Sequence, residues 1–297
     1  MGQELEFLFS LLVSGLSIGL MYSLIALGFV LVYKATDAIN FAQGEFVMLA
    51  GFMATTALSV NLPIWLAVIV AIVGMIGLSF ALERIVLRPL LGRPVVAVIM
   101  ATIGMAAILK GLPPITIGAS TKALPLPLPD APINFGPATI PTIQALGVVV
   151  SLLFLAGFTW FFMKSRMGVA MRAVADNQQV AMAMGINVER YFAIAWSMAG
   201  LVSALGGVIW GSMLGVDTQL SLVGLKVFPV VILGGLDSII GAVVGGLIVG
   251  LVEAIAAGYL DPLVGGGTKD FAPYVLMIVM LMFKPYGLFG KRKIERV

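Results

Sequence analysis

The length of the unbroken apolar runs constrains this chain more than any other feature. Segments at 8–33, 38–58, 62–82, 95–109, 143–163, 191–214, 228–257 and 271–283 are dominated by aliphatic residues, Phe, Met and Gly. A helix crossing a bilayer needs about 20 such residues. The runs are continuous rather than alternating, which selects helices over a membrane barrel. Composition closes off a soluble fold: 61% of residues are hydrophobic and only 10% are charged, against about 25% charged in soluble domains. Too little polar surface remains for a water-facing exterior. The expectation is an all-α, polytopic membrane helix bundle with eight or nine crossings, forming one transmembrane domain over 1–297.

The seventh run is too long for one simple crossing and carries LGGLDS at Leu233–Ser238. Gly and Asp in mid-run predict a short crossing or re-entrant piece, a turn, and then a full helix. The opening MGQELEF lacks the basic start of a cleaved leader, so the first run reads as a retained span. Basic residues set orientation. With the N-terminus outside, thirteen fall inside: Lys34, Arg84, Arg88, Arg93, Lys164, Arg166, Arg172, Arg190, Lys284, Lys291, Arg292, Lys293 and Arg296. Three, Lys110, Lys122 and Lys269, fall outside, and Lys226 is ambiguous. An outside start and an inside end require an odd number of crossings, which favours nine. The net charge of +3 fits basic inner loops rather than a nucleic-acid partner.

The stretch 110–142 reads as a Pro-rich external loop. Pro113, Pro114, Pro125, Pro127, Pro129, Pro132, Pro137 and Pro141 are expected to forbid a helix there. Glycines four apart, at Gly15 and Gly19, at Gly207, Gly211 and Gly215, at Gly241 and Gly245, and at Gly246 and Gly250, predict close helix packing in lipid.

Several chemistries are excluded. With no Cys and no His there is no disulfide, thiol nucleophile, usual zinc site or imidazole acid–base pair. Gly290–Lys291 is followed by Arg292, so it is not a phosphate loop. No nucleophile elbow or zinc-binding helix signature is present. No catalytic or metal site is expected.

Two segments stand apart. INFAQGEF (Ile39–Phe46) brings Asn40, Gln43 and Glu45 into an apolar stretch. Asn40 and Gln43 share a face if the segment is helical. Polar groups at membrane depth either bond to neighbouring helices or line a path, and both readings stand. For Glu45 the nearby basic residue in sequence is Lys34, reachable only if Asp37–Asn40 bends. Glu253 is a second carboxylate in an apolar run. The other segment is the cytoplasmic loop 164–190. A helical piece covers roughly Gly168–Ala175, and Asp176 or Asn177 then caps a second over Gln178–Met184. Gly185 fits the left-handed residue after that helix, with Ile186 the apolar residue beyond it, and Asn187 caps the next long helix. Helices this short do not persist alone in water. Val180, Met182 and Met184 are apolar, so the loop docks either on the protein's own inner face or in the groove of a soluble partner.

Three stretches carry a family resemblance. GLMYSLIALGFVLVYKATDAINFAQGE (Gly19–Glu45), MRAVADNQQVAMAMGIN (Met171–Asn187) and VILGGLDSIIGAVVGGLIVGLVEA (Val231–Ala254) resemble, in order, signatures of the permeases of branched-chain amino-acid ABC transporters. The likeness is nearest to the shorter, H-type subunit. It implies alternating access in an importer of leucine-like amino acids. It also implies a homologous second permease, two cytoplasmic ATPase subunits holding the ATP, and a periplasmic substrate-binding protein. The membrane would be the bacterial inner one. The chain itself would need no cofactor. By motif position Gly168, Arg172, Ala173, Ala181, Gly185 and Ile186 would form the ATPase-coupling element, with Asp176, Asn177 and Met184 of the capped loop beside them. Asn40, Phe41, Gln43, Gly44 and Glu45 match the first signature and are the candidate translocation-path residues. Related permeases for amides, urea or other amino acids share the pattern. A stand-alone secondary transporter would instead need an intramembrane ion path.

Overall fold

The computed structural model describes residues 2–90, 92–129 and 131–290. Lys291, Arg292, Lys293 and Arg296 of the charge argument lie outside these. Among the described residues the chain is helical apart from one small hairpin. In order it forms α1 (Gly2–Thr36), α2 (Gln43–Ser59), α3 (Ile64–Leu82), α4 (Val95–Thr116), β1 (Ile133–Phe135), β2 (Ala138–Ile140) and α5 (Thr142–Lys164). Then come α6 (Arg166–Asp176), α7 (Gln178–Ala183), α8 (Val188–Leu214), α9 (Leu222–Gly234), α10 (Ile239–Ile255), α11 (Asp261–Val264) and α12 (Thr268–Phe283). α3 continues through a π turn at Glu83–Leu87 and a 3₁₀ turn at Arg88–Leu90. Among the described residues, six helices are long and apolar enough to cross a membrane: Gly2–Thr36, Ile64–Leu90, Val95–Thr116, Thr142–Lys164, Val188–Leu214 and Ile239–Val264.

The break in the seventh run falls where the sequence places it. α9 ends at Gly234, Gly235 takes φ +105°, and Ser238 caps α10 by accepting the Gly241 N–H at 2.9 Å. The proline argument needs correction. Pro113 and Pro114 lie inside the last turn of α4. Their fixed φ is already helical, and the turn closes through Ile117 N–H on the Pro113 carbonyl at 2.8 Å. The rings remove two N–H donors, so the Leu109 and Lys110 carbonyls lose their i+4 partners, but the helix needs to continue for only one more turn. The loop thus begins after α4 rather than at 110. Within it, β1 and β2 pair antiparallel across Gly136, at φ +62°, and Pro137.

The chain divides into two compact units that interleave in sequence. One comprises 1–26, 128–152 and 225–297. There α1 and α10 meet at glycine. A Cβ on Gly19 would lie 2.6 Å from the Gly246 carbonyl oxygen, and one on Gly250 would lie 2.3 Å from that of Gly15. Ser23 Oγ, beside this contact, donates to the Gly19 carbonyl at 2.8 Å. The other unit comprises 27–127 and 153–224. Its α2, α3 and α8 form a mutually packed trio, again at small residues. A Cβ on Gly207 would fall 2.3 Å from the Val47 carbonyl oxygen, and one on Gly200 would fall 2.5 Å from that of Met75. Gly215 departs from the packing expectation: at φ +85° it ends α8 instead.

Burial is uneven. The most apolar window of α1 is 83% buried, and that of α4 is 17% buried. Apolar surface left bare on that scale needs lipid or a protein partner. Replacing Gly19 by Ala should destabilise the protein by about 1–3 kcal/mol, the usual penalty for overpacking. Gly104→Ala, where a Cβ meets nothing within 4 Å, should be neutral or better, because Ala favours helix. Thermal unfolding in detergent, followed by intrinsic fluorescence, checks the contrast.

Candidate functional site

The loop between α5 and α8 folds as a doubly capped pair of short helices. Ser165 opens α6 by accepting the Gly168 N–H at 2.9 Å, a cap the sequence reading passed over. Asn177 separates the helices and accepts the Val180 N–H at 3.0 Å. Asn187 then caps α8 through the Arg190 N–H at 3.1 Å. The end of α7 forms the paired bonds of a Schellman motif. Gly185, at φ +79°, donates to the Met182 carbonyl at 2.9 Å, and Ile186 donates to that of Ala181 at 3.0 Å. Met184 N–H bonds the Val180 carbonyl at 3.0 Å, and the Ala173 carbonyl takes the Asn177 N–H at 3.1 Å. Asp176 closes α6 and is exposed.

This pair is tied to the long helices at two points. The Arg172 guanidinium donates to the Phe162 and Met163 carbonyls at the end of α5 and lies 5.5 Å from the Phe162 ring. Cations suit a helix C-terminus, where carbonyls are unpaired and the dipole is negative. Gly168 makes the approach possible, since a Cβ there would clash with the Phe162 carbonyl oxygen at 2.2 Å. At the other point, Gln178 Nε2 donates to the Ala35 carbonyl near the end of α1 at 3.1 Å. Met171, Val174 and Ala181 are buried by these attachments. Val180, Met182 and Met184 stay 57%, 55% and 77% exposed. Of the two docking alternatives, the protein's own face thus takes only one side of the pair.

The INFAQGEF segment forms a bend and then the first turn of α2. Asp37 takes φ +55°, a conformation that Asp tolerates. Asn40 and Gln43 are both fully buried. Asn40 Oδ1 accepts the Ala42 N–H at 3.0 Å, and its Nδ2 donates to Gln43 Oε1 at 3.2 Å. Gln43 Nε2 donates to Ser203 Oγ of α8 at 2.9 Å. Phe41 N–H bonds Thr102 Oγ1 of α4 at 3.3 Å. Gly44 lets α2 approach the turn before α9: a Cβ there would sit 2.2 Å from the Ser221 carbonyl oxygen. Glu45 lies half-buried on the first turn of α2. The structure brings Asn40 and Gln43 together but does not join Glu45 to Lys34. Among the described residues no ion pair links the two, and the Lys34 ammonium lies 5.6 Å from the Phe162 ring centre. The bend turns the chain into α2 without aiming Glu45 back along α1.

In the first unit, Glu253 sits in a charged network. It accepts from Tyr22 Oη at 2.8 Å and from Lys226 Nζ at 3.0 Å, and Lys226 also meets Asp270 at 2.7 Å. Pairing is what makes such a carboxylate tolerable at membrane depth. No cluster of three or more potential metal-binding side chains occurs among the described residues.

Residues 11–283 match the family described as "Branched-chain amino acid transport system / permease component". The chain belongs to this family. Among its relatives is the high-affinity branched-chain amino acid transport system permease protein LivH of Escherichia coli strain K12. It is 31% identical over 313 residues and covers 100% of both chains. BraD of Pseudomonas aeruginosa, described in the same words, is 32% identical over 96% of this chain and 97% of its own. A probable LivH from Methanocaldococcus jannaschii is 30% identical over 92% and 90%. The structure titled "PsaBC from Streptococcus pneumoniae in complex with Fab" shares the fold at a TM-score of 0.51 and 15% identity, over 94% of this chain and 92% of that one. These relatives are transport permeases rather than enzymes, and the chain is a multi-pass membrane permease.

Ser203, Thr102 and Lys226, which hold the two buried polar networks together, were not singled out as site residues from the sequence. A lone Ser or Thr in an apolar helix carries no spacing signal, whereas the charge of Lys226 in an apolar run was a usable one. Gln43→Leu and Ser203→Ala should each destabilise the protein by about 1–3 kcal/mol, because each strands a buried polar partner. The double variant should cost less than the sum of the two. A thermal-melt double-mutant cycle on detergent-solubilised protein reads the coupling.

Proposed function

We propose that this permease is the membrane subunit of an ATP-driven importer of branched-chain, leucine-like amino acids. The observation that carries the reading is the α6–α7 pair. It is a capped element, bonded to the ends of α1 and α5, that leaves Val180, Met182 and Met184 bare. Bare apolar side chains on a short capped element fit the groove of a soluble partner, and the absence of a phosphate loop from this chain fits ATP held by that partner. Gly168, Arg172, Ala173, Asp176, Asn177, Ala181, Met184, Gly185 and Ile186 make up the coupling element. Two ATPase subunits engage it from the cytoplasm, a homologous second permease completes the pathway, and a periplasmic binding protein delivers substrate. The curated relatives named for branched-chain amino acid transport support the substrate class.

In this reading the six long helices and the shorter α2, α9 and α12 make nine crossings of a bacterial inner membrane. The N-terminus is outside, the C-terminus inside and the Pro-rich loop external. ATP closes the ATPase pair, the docked elements move with it, and the permeases alternate between inward- and outward-open states. Coupling is the difference in docking free energy between those states. Of the path set, half-buried Glu45 faces the passage, beside Phe41 and Gly44, while Asn40 and Gln43 hold the bend behind it.

Gly185→Pro and Arg172→Glu should each abolish ATP-driven leucine uptake while the protein still reaches the membrane. Proline cannot take φ +79° and removes the N–H that closes α7. Glutamate places an anion against helix-end carbonyls. Normal uptake with intact ATPase association in both variants would refute the coupling assignment. Because the chain has no native Cys, a single cysteine near the N-terminus should label with an impermeant reagent from outside. Labelling from the cytoplasmic side alone would overturn the orientation and the nine-crossing count.

A further inference from the structure

Where α3 ends and α4 begins, the second unit holds a cavity of about 210 Å³. A single water needs about 10–15 Å³ on that measure, so the space takes several heavy atoms. Leu87, Leu90, Val95, Val98 and Phe192 give it an apolar wall, and it reaches the surface at Gly92 and Arg93, both exposed. The other polar groups on its lining are already engaged. Thr36 Oγ1 donates to the Val32 carbonyl at 2.9 Å, and Gln178 Nε2 donates to that of Ala35 at 3.1 Å. Arg88 holds Glu83 through two bonds at 3.3 and 3.1 Å. Asp37 has a partner within the chain. Trp196 adds ring surface, its indole nitrogen being buried. The Arg93 side chain makes no ion pair or hydrogen bond among the described residues.

The surroundings narrow the kind of ligand. Ile64–Leu90 and Val95–Thr116 are both long and apolar enough to cross the membrane, so the turn between them lies at its boundary. Residues 83–94 carry three arginines and one glutamate, a net charge of +2. Next to them Ile85, Val96 and Met100 are bare apolar side chains, which in a membrane protein meet acyl chains. We propose that this cavity is a binding site for an anionic phospholipid. The phosphate meets the Arg93 guanidinium, which suits it as a planar, paired donor. The glycerol end and the first methylenes of one chain lie on Leu87, Val98 and Phe192, and the chains run out over Ile85, Val96 and Met100. Basic pockets between crossing helices hold headgroups in this way. A free anion leaves the apolar wall uncovered, and a wholly apolar molecule leaves Arg93 unanswered. Gln178, the first residue of α7, lines the same space, so the lipid also supports the coupling element. That consequence rests on the transport reading above, and the site does not.

Delipidated, purified permease titrated with phosphatidylglycerol or phosphatidylcholine in mild detergent, and weighed by native mass spectrometry, tests the site. Preferential retention of a single phosphatidylglycerol is expected. Its affinity should fall at least tenfold in Arg93→Gln and in Val98→Trp, which fills the wall. Arg84→Gln removes an exposed cation outside the lining and should leave binding unchanged. Equal retention of the two lipids, or equal effects of Arg84→Gln and Arg93→Gln, overturns the proposal, since either makes Arg93 a general interfacial charge. Displacement of the lipid by inorganic phosphate overturns it too, because a free anion is then the ligand. Arg93→Gln should melt within a few degrees of the parent, and a far lower melt makes the arginine a structural residue instead. Uptake by the assembled importer gives the second readout. The parent should run severalfold slower in vesicles of phosphatidylcholine alone than in vesicles containing phosphatidylglycerol, and Arg93→Gln should show no such difference. A lipid effect equal in both overturns the supporting role. Failure of uptake in every vesicle counts against the transport reading alone, because lipid binding is measured on the permease by itself.

Discussion

Backbone-to-backbone contact at glycine is the interaction on which the rest of this structure depends. Lipid is as apolar as the helices, so burial of Leu and Val does little to choose one packing over another. Close approach does choose. Gly15 and Gly19 seat α1 on Gly246 and Gly250 of α10, and Gly200 and Gly207 seat α8 on α3 and α2. With those axes fixed, the few buried polar groups can find partners at bonding distance. Gln43 reaches Ser203 at 2.9 Å only because a glycine, Gly28, lies against its amide. Tyr22, Glu253 and Lys226 meet within a unit whose α1 and α10 are already in glycine contact.

The coupling element obeys a different rule, because its order is local. Helices of eleven and six residues are too short to persist by themselves. Ser165, Asn177, Asn187 and Gly185 define their ends, and Arg172 and Gln178 fasten them to α5 and α1. The pair can therefore move as a body with the helix ends it grips. Within the proposed importer, this is what allows force from a soluble ATPase to reach the membrane helices. A flexible loop with the same apolar residues would bind a partner but transmit little.

The sequence disclosed what local chemistry decides. The break at Leu233–Ser238, the caps at Asn177 and Asn187 and the left-handed Gly185 are each written in one or two residues, and each is found in place. Gly15 and Gly19 announced a close contact, but their partners at Gly246 and Gly250 lie more than 200 residues away. The proline rule misled at Pro113 and Pro114, because a proline in a final helical turn removes donors without distorting φ. Ser203 and Thr102 were hidden because one hydroxyl in an apolar helix looks alike whether it bonds its own backbone or a neighbouring bend. The absence of a Glu45–Lys34 pair turns on the direction of the bend at Asp37, a tertiary property that spacing does not encode.

The central claim is that the exposed apolar side chains of α7 and of Met184 just beyond it are the seat of a separate ATPase, and mass measurement of the intact assembly tests it most directly. The tagged chain is purified from its own membranes under mild detergent and weighed by native mass spectrometry. The account predicts an assembly containing two soluble ATPase subunits and a second permease, which loses the ATPases when Val180, Met182 and Met184 are all changed to Asp. A chain that emerges alone or only with copies of itself, or an ATPase complex that survives the triple change intact, would contradict it.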